Sequence, residues 1–173
     1  HPPLAAGSPP MHAATSRDPD PGDLWLRSRP RYGVGTMNDA TLRAGIAGCP
    51  LFAGVDAARL DQLTRLAHGH TVGPRSMLFR QGDACPGIVI VVTGTVRVFK
   101  LAPNGKEHVL RLIPPPEAFA EVAVLGDFDC PACAETTETT SYIVVPAAPF
   151  RRMLDEDHGF CRQLLGGVAR WVH

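Results

Sequence analysis

The spacing of apolar residues changes several times along this chain, and each change predicts a different kind of structure. Residues 1–36 show no sustained apolar period and hold seven of the 17 prolines. Such a segment buries too little apolar surface to offset the entropy lost on ordering, so a disordered or non-native segment is expected. A helix-like run follows Met37, which is therefore the expected natural start of the protein.

Helical spacing becomes clear after Asp56. Leu60, Leu63, Leu66 and Ala67 recur at steps of three and four residues, which is the spacing of one helix face. Asp56 precedes this run and is expected to cap the helix with its carboxylate. The pattern predicts a short amphipathic helix packed on a core.

A period of two replaces the helical spacing from Val72 onward. Asn104-Gly105 is the strongest hairpin signal in the chain, because these residues accept the positive φ angles of a tight turn. The strands predicted around it cover 97–100 and 108–113. Further short strands are predicted at Met77–Phe79, at Ile88–Val92, and at Val96 and Val98. Many short strands with frequent turns predict a mainly β barrel or roll.

Further elements follow the second strand of that hairpin. A short helix is predicted around Glu121–Leu125, and a last hairpin is predicted to include Thr139–Val145. Helical spacing returns after Pro146, first with Phe150, Met153 and Leu154, and then as a stripe of Phe160, Leu164, Leu165, Val168, Trp171 and Val172. Because Gly166-Gly167 weakens this last helix, its stripe is expected to need a partner surface.

Composition narrows the class of protein. A chain of 173 residues with 45% hydrophobic residues is expected to form one globular domain. The 17 basic and 17 acidic residues balance, so the sequence lacks the basic footprint of a nucleic-acid-binding surface. No run approaches about 18 consecutive apolar residues, which argues against a transmembrane helix. Five cysteines without a signal peptide favour a reducing cytoplasm over a disulfide scaffold.

Four stretches occur in the order of a known family. They are Arg80-Gln-Gly-Asp83, the segment from Gly87 to Val98, Pro103-Asn-Gly-Lys-Glu107 and Phe119-Ala-Glu-Val-Ala-Val-Leu125. Their order and spacing resemble the effector domain of the Crp/Fnr bacterial transcription regulators, over residues 49–173. The resemblance implies a mainly β fold with flanking helices. Its core would be a double-stranded β-helix or jelly-roll, the cyclic-nucleotide-binding-like roll, followed by the start of a dimerisation helix.

The resemblance also implies a domain organisation and partners. The effector domain with its N-terminal helix would cover 37–158, and the dimerisation helix would begin at 159–173. In the family a helix-turn-helix follows and enters the DNA major groove. A fragment of a longer regulator is therefore expected, with DNA binding carried by a C-terminal domain outside this sequence. A homodimer is implied, and its dimer face would carry Phe160, Leu164, Val168 and Trp171.

Cyclic-nucleotide binders of this fold hold the ligand with a Gly-Glu pair and an Arg-Ser/Thr-Ala triplet. The resemblance puts Ala120 at the glycine and Glu121 at the glutamate. The triplet matches 132–134, where the arginine that would neutralise the phosphate is absent, which disfavours cyclic AMP. Arg97 and Arg111 are alternatives that the sequence does not place. The expected effector-binding positions are Phe119, Ala120, Glu121, Val122, Ala132, Cys133 and Ala134.

The Phe-Ala-Glu pattern resembles the family branch that senses redox gases, the nitric-oxide-responsive regulators of denitrification. Some relatives bind haem, and others hold an iron–sulfur cluster through N-terminal cysteines. Only Cys49 matches that cysteine set, and four thiolates are normally needed, so a cluster is disfavoured. Haem stays open, with His68, His70 and His108 as candidate ligands, although exposed or hydrogen-bonded histidines are the favoured interpretation.

Cys130-Pro-Ala-Cys133 is the remaining candidate for chemistry. Packing cysteines are the favoured interpretation, and a redox switch or a metal site stays open. No catalytic motif is present, so the chain is not expected to be an enzyme. Two other functions remain as alternatives. The first is a cyclic-nucleotide-binding module attached to a kinase, channel or transporter, which needs the absent arginine. The second is a cupin-like barrel enzyme, which needs a His/Glu metal set that His108 alone does not supply.

Overall fold

The computed structural model describes residues 37–172, with side chains as far as residue 169, so the predicted disordered segment 1–36 lies outside the described residues. The elements in this part of the chain are α1 (Asp39–Gly48), a 3-10 helix (Pro50–Phe52), α2 (Ala57–Leu66), β1 (His68–Val72), β2 (Met77–Phe79), β3 (Gly87–Thr93), β4 (Val96–Leu101), β5 (Glu107–Ile113), β6 (Ala118–Phe119), α3 (Glu121–Gly126), β7 (Cys133–Thr136), β8 (Thr140–Pro146), α4 (Ala147–Glu156) and α5 (His158–Val172).

The strands form two antiparallel sheets, with the orders β1-β8-β3-β6 and β2-β7-β4-β5. Each order alternates between early and late strands, as in a jelly-roll, so the mainly β roll with flanking helices is confirmed. β4 and β5 form the predicted hairpin. Its turn contains Gly105 at φ 80°, and the Asn104 side chain accepts the Lys106 backbone N–H at 3.1 Å.

The last predicted hairpin is wrong. β7 pairs with β2 and β4, whereas β8 pairs with β1 and β3 in the other sheet. The strand predicted within Thr139–Val145 is present, but it is not paired with its predecessor in the chain. Thr140 lies at this corner and donates its hydroxyl to the Glu138 carbonyl at 2.9 Å, which satisfies a polar side chain where the chain crosses between sheets.

Two apolar clusters lie on either side of the first sheet. The helical cluster includes Ile46, Leu63, Ile88, Ile90, Ile143, Phe150, Phe160 and Leu164. The roll cluster includes Phe79, Val89, Val91, Phe119, Cys130, Ala134 and Tyr142. β3 contributes to both, because successive side chains of a strand point to opposite faces. A strand that is buried on both faces is an uninterrupted apolar run, which explains the sequence of Ile88–Val92.

Asp56 caps α2 as predicted, accepting the Arg59 backbone N–H at 3.0 Å. Leu60 and Leu63 of this helix are buried in the helical cluster. The Arg59 guanidinium also donates two hydrogen bonds of 2.8 Å to Asp157, just before α5. These hydrogen bonds, with one from a backbone N–H, lower the pKa of the Asp157 carboxyl to about 2. α2 and the start of α5 are therefore linked by a bidentate ion pair.

The stripe on α5 packs mostly on its own chain. Phe160 is fully buried, edge-on to Phe150 with ring centroids 5.7 Å apart, and Leu164 is buried in the same helical cluster. Gly167 approaches the 3-10 helix so closely that a Cβ would lie 2.3 Å from the Leu51 carbonyl oxygen. The assignment of Phe160 and Leu164 to a dimer face is therefore corrected, because this chain already covers both.

The outer side of α5 carries an exposed leucine, Leu165, that is not among the expected dimer contacts. Leu165 is 61% exposed, whereas Val168 is partly buried against the helical cluster. The side chain of Trp171, the last expected dimer contact, lies outside the described side chains. A second copy of the chain would therefore reach α5 on the side of Leu165.

Candidate effector site

The effector loop, residues 119–122, connects β6 to α3. Phe119 is held opposite Val89 of β3, and Ala120 then turns the chain with a φ of 66°. This left-handed conformation is open to glycine and strained for alanine. The backbone at Ala120 therefore has the conformation that favours the glycine of the family cassette, although the side chain differs. The predicted short helix begins directly after it, at Glu121.

Glu121 is 8% exposed, and its Oε2 has no hydrogen-bond partner among the described residues. Burial raises the pKa of this carboxyl, and the positive charge of Arg111 acts in the opposite direction. A buried carboxylate oxygen without a partner destabilises the fold, because the protein replaces none of its lost hydration. A ligand that donates a hydrogen bond to this oxygen would remove that cost.

The other half of the expected site is apolar. Ala132, Cys133 and Ala134 are all buried, where the loop after α3 enters β7. Ala134 shares the roll cluster with Phe119, and Ala120 packs against the same cluster. Phe119 and Ala120 from one half of the expected site and Ala134 from the other thus contribute to one apolar cluster. Among the expected site residues, Val122 is the exposed one, at 61%.

The two arginines considered as substitutes are paired with carboxylates. Arg97 on β4 forms ion pairs with Glu107 and Glu135. Arg111 on β5 forms an ion pair with Glu117, and its charge acts on Glu121. Neither arginine lies in the 132–134 triplet, so the sequence position of the cassette arginine is occupied by small side chains only.

A pair of thiols that sequence reasoning missed lies beside the effector loop. Cys85 precedes β3 and is half-buried, Cys130 follows α3 and is buried, and the two thiols interact, each shifting the pKa of the other. Cys133, the other cysteine of the CxxC, instead accepts the backbone N–H of Gln81 at 3.3 Å. No local spacing connects Cys85 with Cys130. Only the pairing of two distant loops joins them, so the sequence held no signal for this contact.

The remaining candidate ligands are dispersed. Burial raises the pKa of the Cys49 thiol to about 11, which disfavours the thiolate form that binds iron. His68 and His70 share β1, whereas His108 lies on β5 of the other sheet. The His70 ring lies 5.2 Å from the Tyr142 ring. Within residues 37–172, no three His, Cys, Asp or Glu residues are grouped so that they could hold a metal ion.

Known proteins resemble the chain over most of the described residues. The family model for the cyclic nucleotide-binding domain matches residues 70–157. The CRP-like cAMP-activated global transcriptional regulator of Mycobacterium tuberculosis is 25% identical over 140 residues, 78% of this chain and 58% of the relative. The cyclic AMP receptor protein of Thermus thermophilus is 29% identical over 98 residues, 57% of this chain and 45% of the relative. The chain therefore spans only about half the length of these relatives.

A solved structure extends the likeness to three dimensions. The sensor domain of the transcriptional regulator DNR from Pseudomonas aeruginosa superposes with a TM-score of 0.67 at 19% identity, covering 78% of this chain and 91% of that chain. At this identity the likeness shows the fold. None of the helices in the described part is long and apolar enough to span a bilayer. The match of the family model to residues 70–157 shows that the chain belongs to the cyclic nucleotide-binding domain family, and its relatives and the two-sheet roll identify it as an effector domain of the Crp/Fnr type.

Proposed function

We propose that this chain is the effector-sensing, dimer-forming domain of a cytoplasmic transcription regulator that responds to a redox or gaseous signal rather than to cyclic AMP. The observation that carries the proposal is the buried carboxyl of Glu121, whose Oε2 has no hydrogen-bond partner among the described residues, together with a 132–134 triplet that lacks an arginine. A phosphate placed between a carboxylate and small apolar side chains would lose its hydration without gaining a cation. A neutral effector meets no such penalty.

The relatives support the regulatory part of the proposal. The Mycobacterium relative is named as a transcriptional regulator, and the DNR domain is described as the sensor of one. Because this chain covers 58% of the Mycobacterium relative, DNA binding would belong to the whole protein. In this mechanism the effector shifts the population of two arrangements of the roll and α5, and the pairing of two copies transmits the change.

Dimer formation is supported by exposed apolar side chains. Leu165 on the outer side of α5 is 61% exposed, and Val109, Leu110 and Leu112 on β5 are between 55% and 58% exposed. Large apolar side chains grouped on one strand are typical of a protein–protein contact. We therefore place the pairing surface on the Leu165 side of α5, in place of Phe160 and Leu164.

A second candidate is a cyclic-nucleotide-binding module. Two observations favour it: the position of Glu121, which matches the ribose-binding glutamate of the family cassette, and the names of two relatives, which include cyclic AMP. Arg111 would then have to leave Glu117 and act as the phosphate partner. The difference between the two candidates is therefore the affinity for cyclic AMP.

Calorimetric titration of the purified chain with cyclic AMP tests this difference. The wild-type chain is expected to bind no tighter than about 1 mM, or about −4 kcal/mol. The double variant Ala120→Gly/Ala132→Arg restores the missing glycine and cation, and it is expected to bind more tightly. The single variant Ala120→Gly is the matched control, since it changes the backbone strain without adding the charge. Micromolar binding by the wild type that Arg111→Ala abolishes would replace this proposal with the second candidate.

A further inference from the structure

Two loops hold Cys85 and Cys130 beside each other. The Gly82 backbone N–H donates to the Cys130 carbonyl at 2.9 Å, and the Cys130 N–H donates to the Asp83 carbonyl at 2.8 Å. This reciprocal pair of hydrogen bonds fixes the backbone of Cys130 against the turn that precedes Cys85. Cys130 is buried in the roll cluster and Cys85 packs against the same cluster, and each thiol shifts the pKa of the other. The two loops therefore hold both thiols in one place without any rearrangement of the sheets.

The two thiols have different environments. Cys85 is half-buried, and Cys130 is only 2% exposed. The interaction with the Cys130 thiol lowers the pKa of the Cys85 thiol, whereas that same interaction and burial raise the pKa of Cys130. A thiol that is partly accessible and more readily ionised reacts first with an oxidant, and a neighbouring protected thiol can then resolve the product.

Cys85 also contacts the effector loop. Its sulfur lies 3.9 Å from the Ala120 carbonyl oxygen and 3.8 Å from that of Gly87. The Ala120 carbonyl accepts the first helical hydrogen bond of α3, from Val124 N–H at 3.1 Å. Cys85 packs against both the helical cluster and the roll cluster. A change at this sulfur would therefore be felt at the start of α3 and on both sides of the sheet.

We infer that Cys85 and Cys130 form a redox-sensitive dithiol, which a hydroperoxide converts to an intradomain disulfide that alters the start of α3. The effect on the effector site rests on the proposed function, whereas the bond itself does not. The partner of Cys130 is thus Cys85 and not Cys133 of the CxxC, whose sulfur is engaged with Gln81.

The chemistry balances with the peroxide as the only oxidant. The Cys85 thiolate attacks one peroxide oxygen, the O–O bond breaks, and the leaving alkoxide takes up the proton that Cys85 released. The Cys85 sulfenic acid is then attacked by Cys130, the S–S bond forms, and the hydroxyl leaves as water with the Cys130 proton. Two thiols and one hydroperoxide give one disulfide, one alcohol and one water.

The disulfide changes the geometry next to Glu121. A disulfide holds its two sulfur atoms about 2 Å apart, so its formation draws the loop of Cys85 towards that of Cys130. The Cys85 thiol proton beside the Ala120 carbonyl is lost at the same time. Both changes act on the strained residue that starts α3, and so on the orientation of the Glu121 carboxylate.

The test exposes the reduced full chain to hydrogen peroxide and maps its disulfides by mass spectrometry of peptides prepared without reductant. Free thiols are expected to fall from five to three per chain, with Cys85 and Cys130 in one cross-linked peptide. Cys133→Ser is the matched control and should form the same bond, whereas Cys85→Ser and Cys130→Ser should not. A Cys130–Cys133 bond, an intermolecular bond, or Cys85 oxidised without a bond would overturn the assignment.

Hydrogen exchange of the backbone amides tests the effect on the effector loop. Oxidation of the wild type and of Cys133→Ser is expected to change exchange in residues 121–126, and Cys130→Ser should show no such change. A disulfide that leaves this exchange unaltered would overturn the coupling to α3 while leaving the bond. Neither measurement uses cyclic AMP or DNA, so failure here is distinct from failure of the proposed function.

Discussion

Replacing Phe160 by alanine tests whether α5 belongs to the core of this chain or to a partner. Phe160 is fully buried and touches Phe150 edge-on at 5.7 Å. Removing a buried phenylalanine typically costs about 3–5 kcal/mol, and the lost ring pair adds about 0.5–1.5 kcal/mol to what burial alone would give. The upper part of that range is expected, because the ring is enclosed on all sides. Against a total stability of about 5–15 kcal/mol, this is a large loss.

Leu165→Ala on the same helix is the matched control. Leu165 is 61% exposed, so its truncation should change the free energy of unfolding by less than about 0.5 kcal/mol. The loss of about 4–5 kcal/mol expected for Phe160→Ala corresponds to a drop in melting temperature on the order of 10 °C for a chain of this size.

Urea unfolding followed by circular dichroism at several protein concentrations measures both effects. Phe160→Ala should lower the midpoint at every concentration, and Leu165→Ala should change only the part that depends on concentration. If Phe160→Ala lowers the midpoint no more than Leu165→Ala, or only at high concentration where two copies pair, Phe160 faces a partner and the packing argument fails.

Three further predictions concern single residues. Gly87→Ala should lose more than about 2 kcal/mol of stability, because Gly87 has a φ of 149° and a Cβ would lie 2.1 Å from the Val145 carbonyl oxygen; Gly105→Ala, with positive φ but open space, should lose less in the same urea titration. Glu121→Gln should raise the melting temperature at pH 7, because burial raises the pKa of Glu121 and its charge destabilises the fold above the usual pKa of 4.5. The gain in melting temperature should shrink as the pH falls through the folded-state pKa, and a gain that does not change with pH would contradict the assignment. Asp157→Asn should make stability less dependent on pH in acid, because the stabilising contribution of the Asp157 carboxylate is complete above pH 3.8 and is lost as the pH falls through about 2. Melting temperatures that fall in parallel for both proteins from pH 5 to 2 would count against the Arg59 ion pair.

Local patterns predicted the elements of this fold well. The Asn104-Gly105 turn, the Asp56 cap and the apolar run of Ile88–Val92 each depend on a few adjacent residues, and the structure has each where it was expected. The resemblance to the family supplied the jelly-roll fold, whereas spacing alone predicted only a barrel or roll. The assignment of Glu121 and of the 132–134 triplet to an effector site also rests on that resemblance and stays a prediction.

Contacts between distant segments account for what the sequence did not predict. Thr139–Val145 looks like the arm of a hairpin because a turn precedes it, but burial of both faces of β8 favours pairing with β1 and β3. The stripe with Phe160 is apolar whichever surface covers it, so its spacing could not distinguish this chain from a partner. Cys85 and Cys130 are neighbours only because two loops pair, and the CxxC spacing pointed to Cys133 instead.

The first sheet has a consequence for which substitutions the chain will tolerate. β3 contributes alternately to the helical cluster and to the roll cluster, so no position at its centre offers a face that is free to vary. β5, by contrast, is exposed along almost its whole length. Saturation mutagenesis scored by the folding of the single chain should therefore find a narrow set of acceptable residues at Ile88–Val91 and a broad one at 108–112. Polar or charged side chains are accordingly easier to introduce on β5 without loss of folding. The positions that must stay apolar are concentrated in β3, between the helical cluster and the roll cluster.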